Sequence, residues 1–155
     1  MQFINYFFAS VVSFLGMLIG IILIRIAPEE QKPLSKYFDL ARKILLLLIF
    51  VFLMFYYFNK TFYLLILFLY LVFAAVIEYR IPDLFRKSML TYILLGILFY
   101  VSQNNLNLFV IESSLILLHG VMVASLLYDR KLKNYFNVLV YNLGFLIIAN
   151  ILYFL

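Results

Sequence analysis

The sequence predicts an all-α integral membrane protein: a six-transmembrane-helix bundle with short loops and both termini extracytoplasmic. Three observations carry this. First, 68% of the 155 residues are apolar, 12% are charged and the mean hydropathy is +1.12, whereas a soluble domain is about half apolar and about a quarter charged. Second, the apolar residues fall into runs approaching the ~20 residues needed to cross about 30 Å of hydrocarbon. Third, eleven of the twelve Lys and Arg side chains fall in alternate loops, the pattern expected when basic loops stay in the cytoplasm.

The runs predict spans at 3–24, 44–58, 61–77, 88–101, 108–128 and 136–155, forming a single transmembrane domain. The first contains no Lys or Arg. It therefore lacks the basic start of a signal peptide, no small-residue cleavage site follows, and it reads as a true span. Within it Ser10, Ser13, Gly16 and Gly20 share about a third of the helix circumference, and the Gly16-x-x-x-Gly20 spacing lets two helices approach closely. These four are expected to serve helix packing within the bundle, with self-association between copies as a second reading and a pore lining as a third.

Residues 44–77 would make one helix of about 51 Å at 1.5 Å per residue, too long for the hydrocarbon. Asn59-Lys60 is therefore a hairpin turn between the second and third spans, and the Asn59-Lys60-Thr61 sequon reads as turn chemistry. The second and fourth spans are short, but amphipathic lead-ins at 34–43 and 82–87 supply the missing turns. Asp39 with Lys43 and Asp83 with Lys87 are acid-before-base pairs four residues apart, and Pro82 suits a first helical turn. Because the second and third spans carry almost no polar residue apart from Tyr70, they read as lipid-facing scaffold.

The basic loops hold Arg25, Lys32, Lys36, Arg42 and Lys43, then Arg80, Arg86 and Lys87, then Arg130, Lys131 and Lys133, leaving Lys60 alone on the other side. The net charge of +5 thus reflects topology, and nucleic acid is not an expected partner. Tyrosines fall near most boundaries, as interfacial anchors do: Tyr6, Tyr56, Tyr57, Tyr63, Tyr100 and Tyr153 at the outer face, Tyr37, Tyr79, Tyr128 and Tyr135 at the inner one. Arg25-Ile26-Ala27-Pro28-Glu29 and Arg80-Ile81-Pro82-Asp83 share a faint pattern, which fits either repeated hairpins or ordinary helix-start chemistry. Glu29 and Glu30 suit a first helical turn, or a docking role.

Polar residues are costly in lipid and face protein or water. The first, fifth and sixth spans carry Asn5, Ser10, Ser13, Glu112, Ser113, Ser114, His119, Ser125, Asn142 and Asn150, and are expected to pack together. Glu112 and His119 are seven residues apart, so they share one helix face within about 20° and are separated by roughly 10.5 Å along the axis. On an antiparallel sixth span, Asn150 falls near the depth of Glu112 and Asn142 near that of His119. Those two pairs are the expected partners. A buried carboxyl and imidazole most often serve interhelical hydrogen bonding, with proton or ligand binding as the second reading and metal or catalytic chemistry as a third.

With no Cys and one His, thiol chemistry, disulfides and a multi-histidine zinc site are excluded, and no metal or cofactor is expected. The residues after His119 also lack the acid of a His-x4-Asp acyltransfer motif. The chain does not read as an enzyme. Two functions remain: a transporter or channel-like permease with a polar path lined by the first, fifth and sixth helices, or a non-catalytic subunit, scaffold or chaperone-like protein of a membrane complex. Either is expected in the cytoplasmic membrane of a cell. The partners expected are the lipid bilayer and either further copies of the chain or another membrane protein.

Overall fold

A computed structural model describes residues 2–129 and 134–155. The basic loop residues Arg130, Lys131 and Lys133 lie outside them. Among the described residues there is no strand. The helices are α1 (Phe3–Ile26), α2 (Gln31–Tyr57), α3 (Thr61–Arg80), α4 (Leu84–Ser102), α5 (Leu106–Leu127), α6 (Tyr135–Asn142) and α7 (Gly144–Tyr153), with a 3-10 turn at Pro28–Glu30 before α2. Five segments are long and apolar enough to cross a membrane: α1, α3, α4, α5, and α6 with α7 taken together. These apolar helices mark a membrane protein.

Local sequence accounts for the boundaries. At the start of α4, Asp83 accepts from the backbone N–H groups of Phe85 and Arg86, and Asn105 does the same for Asn107 and Leu108 before α5. Each satisfies donors that the first helical turn leaves unpaired. Pro82 consequently sits before the cap and not in the first turn. The two lead-ins are continuous with the runs that follow, so α2 extends over 27 residues and α4 over 19. The last segment is broken at Leu143, whose N–H reaches back three residues to the Val140 carbonyl, with Gly144 following at the kind of position where helices kink.

The tightest packing joins α1 to α5. A side-chain carbon on Gly16 would run into the Leu117 carbonyl, one on Gly20 into that of Val121, and one on Gly120 would lie 3.0 Å from the Met17 amide nitrogen. The glycines therefore bring two backbones into contact, as their spacing predicts. Helix α4 packs on α7, and α1 and α4 each touch both α5 and α7. Helix α1 runs antiparallel to the last segment, Phe3 meeting Phe154 at one end of the bundle and Arg25 lying over the Tyr135 ring at the other, and parallel to α5, Gly16 facing Leu117 and Gly20 facing Val121.

Two expectations are corrected here. Helix α2 is not a lipid-facing scaffold: it packs along α5 and buries Arg42, Leu45, Ile49, Leu53 and Tyr57, a stripe at three- and four-residue spacing. Helix α3 does lie outside the core, burying Leu67, Tyr70 and Ile77 alone. Nor are all the boundary tyrosines anchors. Tyr37, Tyr79 and Tyr135 are exposed, but Tyr6, Tyr57 and Tyr128 are buried. The Tyr6 hydroxyl donates to the Ala149 carbonyl and that of Tyr57 to the Val101 carbonyl, so these two tie helices together inside the protein.

Candidate functional site

Glu112 and His119 lie on α5, both fully buried. His119 is two residues from Leu117 and two from Val121, which on a helix is about 200° of rotation. Since those two carbonyls meet α1, His119 points away from α1. Glu112, seven residues earlier, shares that side, which faces α2 and α4. The His119 ring is 5.6 Å from that of Tyr92 on α4.

Neither expected asparagine partner reaches α5. Asn142 accepts from the Ser88 hydroxyl of α4 at 2.6 Å and donates to the Val138 carbonyl. Asn150 donates to the Ser10 hydroxyl of α1 at 3.2 Å and to the Leu146 carbonyl. The physical reason is the layout: α1 and α4 stand between α5 and α7, and rings fill the space between. Tyr6 is 5.1 Å from Phe99 and 5.8 Å from Phe109, and Phe145 is 5.4 Å from Phe99 and 6.1 Å from Tyr92. An aromatic wall thus occupies the region where a path lined by the first, fifth and sixth helices would run.

Of the packing residues, Ser10 joins α1 to α7 through Asn150, while Ser13 bonds back to its own helix at the Ala9 carbonyl. The polar atoms left over are more informative. Among the described residues, both carboxyl oxygens of Glu112, both ring nitrogens of His119, the Tyr92 hydroxyl and the Asn150 carbonyl oxygen are buried with no hydrogen-bond partner. Nearly all buried polar groups in folded proteins are paired, and an unpaired one costs several kcal/mol in hydrocarbon. Four of these six atoms belong to the two side chains singled out on α5.

Apart from these unpaired groups, α2, α3 and α4 share an ion cluster. Arg42, 2% exposed, donates to Asp39 at 2.9 Å and to both carboxyl oxygens of Glu78 at 2.9 and 3.0 Å. Lys43 pairs with Asp39 at 2.6 Å and lies 3.5 Å from Glu78, which Lys87 also approaches at 3.3 Å. Burial pushes the Asp39 carboxyl up, but hydrogen bonds from Lys43 and Arg42 outweigh it and hold the group below its ordinary value. Burial likewise opposes the charge on Arg42, and its bonds to Glu78 and Asp39 more than restore it.

Sequence reasoning missed Arg42, Glu78, Tyr92 and Gln31 as structural participants. Gln31 donates to the Ser125 and Tyr128 carbonyls at 2.9 and 2.7 Å, closing the end of α5. The available signal for Arg42 was its register with Leu45, Ile49 and Leu53, obscured because α2 is apolar on nearly every side. Among the described residues, no three His, Asp or Glu side chains gather as a metal site requires. Comparison with family models, with curated proteins and with solved structures gives no match for this chain.

Proposed function

We propose that the protein is a small permease that moves protons, alone or with a polar solute, along the side of α5 that faces α2 and α4. The observation that carries this is the unpartnered state of Glu112 and His119 at full burial. Ionisable groups placed inside a membrane protein without protein partners are served by water, an ion or a substrate, and mark such pathways. Glu112 and His119, the latter beside Tyr92, line that side, and Arg42 with the acids it holds sits on the packed helix α2.

In this reading α2 makes a sixth crossing through its apolar 44–58 stretch. Arg25, the Arg42 cluster and Lys87 lie at the cytoplasmic end, and both termini lie outside, as the basic-loop bias argues. The test is proton flux into vesicles containing the purified chain and a trapped pH-sensitive dye, driven by a potassium diffusion potential. The unaltered chain is expected to acidify the lumen. Glu112→Gln, which keeps size and polarity but cannot ionise, is expected to behave as empty vesicles do, and undiminished flux through it would reject the path.

A second reading, a non-catalytic subunit or scaffold of a membrane complex, draws on the glycine-tight α1–α5 contact and the apolar outer face of α3. In that case Glu112→Gln leaves every flux unchanged, and a protein partner accompanies the chain through purification.

A further inference from the structure

Away from the α5 path, a cleft of about 310 Å³ opens between α2, α3 and α4. Its walls are apolar along most of their length, with Leu46, Phe50, Leu71, Ala74, Ala75 and Leu94 among them, and its mouth carries Lys43 and Glu78. A second cleft of about 200 Å³ shares Tyr70 and Leu94 with the first, so the seam beside α3 is open over much of its length. An apolar slot with ion pairs at one end has the polarity of an amphiphile. Its volume of about 310 Å³ is small beside a partner helix, whose cylinder with side chains is about 10–12 Å across.

The charge at the mouth selects among amphiphiles. Arg42, Lys43 and Lys87 face Asp39 and Glu78, three cations against two acids. Arg80, at the end of α3, is exposed. Counting Arg80, which follows Tyr79 of the cleft wall, that end carries four basic groups and two acidic ones. Lys43 lines the mouth with its side chain 47% exposed, and Lys87 reaches the Glu78 carboxylate of that mouth from α4 at 3.3 Å.

We propose that this cleft is a binding site for one anionic phospholipid, an acyl chain lying between α2, α3 and α4 and the phosphate held by Lys43 and Lys87. The inference is independent of proton movement through α5. It also explains how the thinly packed α3 is held: the lipid chain fills the gap and the headgroup bridges α2 to α4.

The test uses the full chain in a mild detergent, supplied with equal amounts of phosphatidylglycerol and phosphatidylcholine of identical acyl chains, and counts retained lipid by native mass spectrometry. A single phosphatidylglycerol is expected to be retained in preference to phosphatidylcholine. The preference should fall by roughly fivefold for each basic side chain removed in Lys43→Ala and Lys87→Ala. Ala75→Phe, which fills the cleft and leaves the charges in place, should reduce retention of both lipids. Equal retention of the two lipids by the unaltered chain would overturn the site by reducing it to ordinary boundary lipid, and needs no variant to be decisive. Undiminished phosphatidylglycerol on Ala75→Phe would overturn the placement of the acyl chain.

Discussion

Arg42 and Glu78 hold α2 and α3 together, and the two ends of that contact are unequal. Glu78 receives Arg42, Lys43 and Lys87, so Glu78→Leu leaves a buried guanidinium with Asp39 alone. Arg42→Leu leaves both acids with a lysine still beside them. Removing one partner from a buried pair costs several kcal/mol, whereas exposed pairs contribute under one. Glu78→Leu is therefore expected to destabilise by about 3 kcal/mol and Arg42→Leu by clearly less, read as unfolding midpoints in detergent. The reverse order would mean that the arginine is not the group needing compensation.

The same cluster sets a pH window. Asp39 has its folded pKa held below its ordinary 3.8, mainly through Lys43 and Arg42 working against burial. Its contribution is present above that value and is lost as the pH falls through the lowered one. Lys43 is raised above 10.5, chiefly by its hydrogen bond to Asp39, so its contribution is present below 10.5 and is lost as the pH rises through the raised value. The unfolding midpoint of Asp39→Asn, compared with that of the unaltered chain, is expected to differ most near neutral pH and to converge with it in strong acid. Glu112 and His119 were legible at this scale as the polar residues stranded in an apolar run. Their neighbours were not, because hydrogen-bond partners across helices depend on rotation and order of packing, which composition does not record.

Between elements, the contact of α1 with α5 depends on glycine at particular places. Gly16 faces the Leu117 backbone, which cannot swing aside as a side chain can. Gly16→Ala is thus expected to separate the helices and cost about 1–3 kcal/mol. At Gly144 the nearest atoms to an added carbon belong to the Ile93 side chain, at 2.9 and 3.7 Å, which can shift where a backbone carbonyl cannot, so Gly144→Ala should cost less. Comparing the two unfolding midpoints checks this. The Gly16-x-x-x-Gly20 spacing announced the contact, since close approach needs small residues one turn apart. The role of α2 was hidden by the same reasoning that found the others. A helix buried through leucine and isoleucine shows no polar stripe, so absence of polar residues was read as exposure to lipid.

Across the whole molecule, the alternation of basic loops, the antiparallel contacts at the two ends and the buried polar line belong to one proposal: a six-span permease with its ion cluster at the cytoplasmic end. The topology predicts that single cysteines replacing Glu29 or Pro82 react with an impermeant thiol reagent applied from the cytoplasmic side, and one replacing Asn107 from the opposite side. No native cysteine competes. The most direct measurement applies the same reagent to His119→Cys in membranes, from each side in turn, in protein shown to be folded by its unfolding midpoint. A water-filled path along α5 predicts labelling at this fully buried position. Failure to label from either side would contradict the path and make Glu112 and His119 part of a dry helix contact.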